Sequence, residues 1–142
     1  MLQADAVEAY LLQYYALAAH AYTRGTWIAP ESTPIDRTVS SPSFATPAGV
    51  TAAILLKWTL LWEDPIERKL WIGRALPRVW LEAGEKIVVE GAASAYGHVS
   101  FVLRSDVRSA KVIHCNLTVP SKWAVDGAPK GGLVLRLRSP VG

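Results

Sequence analysis

Two carboxylates on one irregular stretch of the chain are the residues best suited to chemistry. Glu31 and Asp36 lie in the segment from Arg24 to Thr46, which is rich in Pro, Ser and Thr and has neither a helical nor a strand period. Hydrolysis of a glycosidic bond usually needs two carboxyl groups, about 5–5.5 Å apart for retention and about 6.5–9.5 Å apart for inversion. Because Glu31 and Asp36 share this loop and could face one cleft, they are our candidate catalytic residues.

Three residues near these carboxylates along the chain are candidates for substrate binding. Trp27 could stack on a sugar ring, and Arg24 could hold a carboxylate through two hydrogen bonds. His20 is the third candidate and lies late in the apolar helix predicted before this loop. The alternative interpretations are a tethering loop with a solvated face and, for His20, a histidine buried in the core.

A second pair of carboxylates is less suited to catalysis. Glu63 and Asp64 are adjacent and precede Pro65, which disfavours helix in the residue before it. We therefore interpret both as solvated or capping groups at the end of a predicted helix.

The histidines and the single cysteine do not form a metal motif. His20, His98 and His114 lack the spacing of metal ligands, and neither an HExxH nor a CxxC pattern occurs. His98 and His114 are predicted to point outward from strands and could converge on a metal, but the sequence supplies no third ligand. Cys115 is predicted to face inward as an inert packing residue. We therefore predict no metal ion and no cofactor.

Composition and charge argue against several classes of protein. The net charge is only +3 and the basic residues are scattered, which argues against nucleic-acid binding. A single cysteine excludes an intrachain disulfide. The N-terminus lacks the basic region of a secretory signal, and the most apolar run, Val50 to Trp62, is shorter than the about 20 residues of a membrane span. We expect a soluble, cytoplasmic protein without a nucleic-acid or membrane partner.

Two helices are predicted in the first half of the chain. One runs from Asp5 to Thr23, where Asp5 is a suitable N-cap. The other runs from Thr46 to Trp62, with Pro47 at the first helical position, where its missing donor costs nothing. The first helix is apolar nearly all round, so it needs cover on most sides. We therefore expect a homo-oligomer formed through the apolar helices.

The hydrophobic period changes to two from Lys69 onward. Short strands are predicted at residues 69–74, 86–90, 98–104, 110–119 and 133–138. Short strands at regular spacing, separated by turns, are typical of an antiparallel sandwich. The prediction is an α+β protein, with two N-terminal apolar helices in residues 1–65 followed by an antiparallel β-sandwich-like domain over residues 66–142.

The last two predicted strands have distinct faces. In the strand at 110–119, Ile113, Cys115, Leu117 and Val119 are predicted to point inward. In the last strand the three leucines are predicted to point inward and the two arginines outward. These residues are Leu133, Leu135, Leu137, Arg136 and Arg138.

Several short motifs occur in a specific order along the chain. They are a His-x-x-Thr-Arg-Gly-Thr-Trp segment with a following Pro-Glu, a Glu-Asp-Pro, a Pro-Arg-x-Trp-Leu turn, a Tyr-Gly-x-Val-Ser-Phe strand and a Leu-Arg-Leu-Arg strand. Here they occupy residues 20–31, 63–65, 77–81, 96–101 and 135–138. Their order resembles the C-terminal part of bacterial glycoside-hydrolase-like proteins that combine an (α/α)6 toroid with a β-sandwich.

The resemblance implies a carbohydrate-active protein. It places Arg24, Trp27 and Glu31 at the mouth of the toroid, where a sugar could lie. Most of the toroid is absent from this chain, so a site built from many helices would be incomplete in one copy. The expectation is thus a glycoside hydrolase using loop carboxylates, with a non-catalytic sugar-binding or oligomeric assembly module as the alternative.

Overall fold

The computed structural model describes residues 1–20, 28–31, 36, 45–82 and 84–140, with His20 described by its backbone alone. The chain forms two compact units, Met1–Trp58 and Thr59–Gly142. Two helices precede all the strands, so the predicted α+β class is confirmed. The units meet at residue 58, whereas the sequence pattern changes type near residue 65.

The first unit contains helix α1 (Val7–His20) and most of helix α2 (Thr46–Leu60). α1 begins two residues after the predicted start, because Asp5 has a φ of 57° and is therefore left-handed rather than helical. The hydroxyl of Tyr10 donates a hydrogen bond to the carbonyl oxygen of Leu55, which joins α1 to α2. Among the described residues, no helix combines the length and apolar character that crossing a bilayer requires.

The second unit holds six strands and two short 3₁₀ helices. In chain order they are β1 (Leu61–Asp64), β2 (Lys69–Ile72), a 3₁₀ helix (Arg78–Leu81), β3 (Lys86–Ser94), β4 (Gly97–Asp106), β5 (Val112–Thr118), a second 3₁₀ helix (Ser121–Ala124) and β6 (Leu133–Leu135). They form two three-stranded sheets, ordered β1-β2-β6 and β3-β4-β5.

Strand β1 corrects the predicted end of the second helix. The helical pattern extends to Trp62, but the chain leaves α2 at Leu60 and enters β1 directly. Leu61 then lies opposite Ile72 and Trp62 opposite Trp71 in an antiparallel pair with β2. Cross-strand packing of large apolar side chains stabilises this pairing and outweighs the local helical period.

The first sheet is mixed rather than purely antiparallel. β2 pairs antiparallel with β1 but parallel with β6, where Leu70 lies opposite Leu133. Gly131 brings β6 alongside the β1–β2 turn, and its N–H donates to the carbonyl oxygen of Arg68 at 2.9 Å. A Cβ at Gly131 would lie 2.1 Å from the carbonyl oxygen of Glu67, so this approach requires glycine.

The second sheet is an antiparallel meander in which β3 and β4 are longer than predicted, whereas β5 is shorter than the predicted range 110–119. Residues 91–97, between the strands predicted at 86–90 and 98–104, were expected to form a flexible connection. Instead, β3 extends to Ser94 and β4 begins at Gly97. A bulge places Glu90 and Gly91 opposite Ser100, with Gly91 at a φ of 58°. The Gly91 N–H donates to the Ser100 Oγ at 2.8 Å, so the extra residue keeps a hydrogen-bond partner.

Both sheets contribute to one hydrophobic core. The buried members are Leu61, Leu70, Ile72, Leu76, Leu81, Val99, Phe101 and Leu103. Three predicted inward residues are instead exposed: Leu117 on β5 by 40%, Val119 just after β5 by 37% and Leu135 on β6 by 44%. Ile113 and Cys115 pack against the core as predicted, which shows that β5 is covered only along its first half.

Candidate functional site

The two candidate catalytic carboxylates are both exposed at the surface of the first unit. The chain just before Glu31 is anchored, because the buried Ala29 accepts a 3.0 Å hydrogen bond at its carbonyl oxygen from the Ala45 N–H. Glu31 follows this anchor by two residues, and Asp36 lies farther along the segment. An exposed carboxylate lacks the water-excluded surroundings in which enzymes strengthen electrostatic catalysis.

The three candidate substrate-binding residues give no geometry for a sugar site. His20 is the last residue of α1. Its side chain, and the whole of Arg24 and Trp27, lie outside the described residues. Their role in binding therefore remains the prediction that the sequence makes.

Glu63 and Asp64 act as capping groups, as interpreted from the sequence, although they lie in a strand rather than at a helix end. The Asp64 Oδ1 accepts hydrogen bonds from the Ile66 and Glu67 N–H groups, each at 3.0 Å, and so closes the β1–β2 turn. The Glu63 Oε2 accepts a 3.0 Å hydrogen bond from the Ala95 N–H at the β3–β4 turn. Both carboxylates are used to fix turns.

The β3–β4 turn is held from several directions. The Ser94 Oγ donates to the Gly97 carbonyl oxygen at 2.7 Å and accepts from the Tyr96 N–H at 3.1 Å. From the second 3₁₀ helix, the Trp123 Nε1 donates to the Tyr96 carbonyl oxygen at 2.8 Å. The Tyr-Gly motif at residues 96–97 is therefore part of a fixed structural corner.

The other two motifs of the second unit also hold the framework together. The Arg78 Nη1 donates to the Ser139 carbonyl oxygen at 3.1 Å, and the Arg138 Nη2 donates to the Leu76 carbonyl oxygen at 2.6 Å. These reciprocal bonds join the corner at 76–81 to the C-terminal segment. Arg138 was predicted to point outward, and this was wrong. Its guanidinium points back toward the corner and donates a hydrogen bond to the Leu76 carbonyl oxygen.

A buried arginine that the sequence analysis did not single out lies against two tryptophans. The Arg74 guanidinium carbon is 4.0 Å from the Trp71 ring centre and 4.8 Å from that of Trp62, and Arg74 is only 6% exposed. Aromatic faces attract a cation at these distances. The cross-strand pairing of Trp62 with Trp71 creates this arrangement, and no local motif in the sequence predicts that pairing.

The structure gives no metal centre within the described residues. No group of three or more His, Cys, Asp or Glu side chains there could hold a metal ion. His98 and His114 are both exposed, as predicted, but His114 lies opposite Arg104, about 20 Å along β4 from His98. The two histidines therefore do not converge.

Cys115 is half-buried on the inner face of β5. Burial raises the pKa of the Cys115 thiol, because desolvation disfavours the thiolate. The thiol is thereby made less nucleophilic, in agreement with the predicted packing role.

Comparison of the chain with protein-family models, with curated proteins and with solved structures gives no match.

Proposed function

We propose that the protein is a carbohydrate-binding module that does not itself hydrolyse glycosidic bonds. In this proposal the segment carrying Arg24, Trp27 and Glu31 contacts the sugar. The carbohydrate part of the proposal is supported by the order of the motifs that resemble the C-terminal part of toroid-and-sandwich glycoside-hydrolase-like proteins.

The positions of four carboxylates, two bonded in turns and two exposed, are the observation that favours binding over hydrolysis. Of the four carboxylates considered as catalysts, Glu63 and Asp64 accept backbone hydrogen bonds in turns. The other two, Glu31 and Asp36, are exposed. A glycosidase needs an acid and a second carboxylate held at a defined separation across the scissile bond, usually in a cleft. An exposed carboxylate is better suited to accepting hydrogen bonds from sugar hydroxyls.

Hydrolysis by Glu31 and Asp36 is the competing function, and one experiment separates the two. Product release is measured from a panel of neutral and uronic-acid-containing polysaccharides, and binding to the same panel is measured in parallel. We expect binding without products, and weaker binding by Trp27→Ala. A control is Ile66→Ala, which removes an exposed apolar side chain of the β1–β2 turn, outside both the loop and the apolar helices.

The variant Glu31→Gln decides the catalytic question. Turnover by the unaltered protein that disappears in Glu31→Gln would replace binding with hydrolysis as the function. Absence of both products and binding on the whole panel would remove the carbohydrate role altogether. Equal binding by Trp27→Ala and the unaltered protein would move the contact surface away from the loop.

A role in assembly is a second candidate, supported by exposed apolar side chains on the helices of the first unit. Leu12 and Tyr15 on α1 are exposed, and so are Val50, Ile54 and Trp58 on α2. Burial of such side chains against another copy is favourable by roughly 25 cal/mol per Å² of apolar surface. Assembly and sugar binding are compatible, because several copies would present several sugar-binding loops.

A further inference from the structure

Three basic or potentially basic side chains lie side by side across the second sheet. Lys86 on β3 is opposite Arg104 on β4, and Arg104 is opposite His114 on β5. Directly opposite residues in antiparallel strands point to the same face. Lys86, Arg104 and His114 are all exposed. Their neighbours along the strands, Ile87 after Lys86 and Leu103 before Arg104, lie on the opposite face and pack in the core. We call these three residues the basic row.

The three side chains of the basic row have no direct partner in the described part of the chain. None of its three side chains makes a salt bridge or side-chain hydrogen bond with the described part of the chain. The carboxylate of Asp106, two residues beyond Arg104, instead accepts a hydrogen bond from the Ser109 hydroxyl. Like charges placed directly opposite each other destabilise a sheet. Lys86 facing Arg104 therefore lowers stability, and an anion bound between them would remove that repulsion.

We propose that the basic row binds an anionic carbohydrate, a chain bearing carboxylate or sulfate groups, laid across the strands of the second sheet. This rests on the proposed carbohydrate role. Neighbouring strands are about 4.7–4.9 Å apart, so the row presents donors along about 10 Å. Lys86 and Arg104 supply positive charge, Arg104 adds the planar geometry that suits carboxylate or sulfate, and the His114 imidazole supplies a further hydrogen-bonding group.

An acidic glycan fits this face better than a nucleic acid does. Binding of single-stranded nucleic acid combines a charged groove with aromatic side chains on which bases stack. The next row of the same face consists of Val88, Val102 and Asn116, without an aromatic ring.

The test compares one polymer in two charge states. Binding of polygalacturonate is measured beside binding of its fully methyl-esterified form, which keeps the sugar chain and removes the charge. We expect the acid form to bind at least tenfold more tightly at low salt, with the difference shrinking as salt is raised. The double variant Lys86→Gln/Arg104→Gln should lose at least tenfold in affinity for the acid form, and His114→Gln should lose less.

A matched double variant controls for total charge. Arg68 and Lys130 are exposed basic residues beside the β1–β2 turn of the other sheet, so Arg68→Gln/Lys130→Gln removes the same charge elsewhere. We expect it to bind the acid form as the unaltered protein does. The Lys86→Gln/Arg104→Gln variant should unfold at an equal or higher urea concentration than the unaltered protein, which separates lost binding from lost folding.

Four outcomes would overturn the inference. Equal loss in both double variants would mean that total charge, not the basic row, controls binding. Equal affinity for polygalacturonate, single-stranded DNA and poly-glutamate would mean a surface for polyanions in general. Binding of neutral glycans that depends on Trp27, with no preference for the acid form, would leave the proposed function standing and remove the basic row from it. Absence of binding to both forms and to neutral glycans would remove both.

Discussion

The indole Nε1 of Trp123 donates a 2.8 Å hydrogen bond to the carbonyl oxygen of Tyr96. This bond joins the second 3₁₀ helix to the β3–β4 turn, and both side chains also pack against the core. The turn is therefore positioned by a residue that follows it by two whole strands, β4 and β5.

The variant Trp123→Phe should measure how much this hydrogen bond contributes to the free energy of unfolding. Phenylalanine keeps an aromatic ring but removes the donor, which leaves the Tyr96 carbonyl without its partner. We expect the free energy of unfolding to fall by about 1–2 kcal/mol in urea titrations. Trp58→Phe, at an exposed position on α2, is the control and should change stability by less than about 0.5 kcal/mol. Equal losses in the two variants would assign the effect to ring size rather than to the hydrogen bond.

Asp64 should contribute more to the free energy of unfolding than an ordinary strand residue does. Its Oδ1 accepts two backbone hydrogen bonds while the residue is only 2% exposed. Replacement by Ala leaves the Ile66 and Glu67 N–H groups without this acceptor, so we expect a loss of about 2–3 kcal/mol in the free energy of unfolding. Asp64→Asn keeps an acceptor oxygen and should lose about 1 kcal/mol. An Asn variant as unstable as the Ala variant would show that the negative charge, not the acceptor, is what the turn requires.

Gly131 and Gly49 form a contrasting pair of glycines. A Cβ at Gly131 would lie 2.1 Å from the Glu67 carbonyl oxygen, whereas a Cβ at Gly49 meets nothing within 4 Å. Gly131→Ala should therefore force the β1–β2 turn away from β6 and cost about 2–3 kcal/mol. Gly49 lies inside α2, where Ala is the better helix former, so Gly49→Ala should gain about 0.5–1 kcal/mol. Thermal unfolding of both variants checks the signs, and an unchanged Gly131→Ala would contradict the close approach of the two segments.

Local signals in the sequence predicted the parts of the fold that local chemistry controls. The start of α2 was predicted from Thr46 and Pro47, which suit the beginning of a helix, and the structure begins α2 at Thr46. The approximate positions of the three strands of the second sheet followed from the period-two pattern. Asp64 was predicted to be a solvated or capping group at a helix end; it is a capping group, but it is buried in a strand and closes the β1–β2 turn.

Features that depend on register could not be predicted in the same way. β1 could not be recognised from the sequence, because Leu61 and Trp62 continue the helical pattern of the preceding residues. Only pairing with β2 makes them extended. The basic row combines Lys86, Arg104 and His114, which are far apart in sequence and adjacent only through strand pairing. For this reason the basic residues looked scattered along the chain. The parallel pairing of β6 likewise has no local signature, because it depends on Gly131 passing close to the β1–β2 turn.

The exposed stripe on α2 predicts self-association. Val50, Ile54 and Trp58 lie on one side of the helix at a spacing of four residues, and they are 48%, 41% and 41% exposed. If copies of the chain cover this stripe, light scattering should give a native mass above 15.5 kDa. Ile54→Glu places a charge in the stripe and should shift the mass toward that of the monomer, because an unpaired charge is costly to bury.

Gln13→Glu is the matched control for this shift. Gln13 is an exposed polar residue of α1, so the substitution adds the same charge outside the stripe and should leave the mass unchanged. A shift in both variants would mean that added negative charge, not the stripe, governs association. An unaltered protein that is a monomer of 15.5 kDa at all concentrations would remove assembly from the proposed function. An oligomer that persists in Ile54→Glu would place the interface on another surface, with the exposed Leu12 and Tyr15 of α1 the next positions to change.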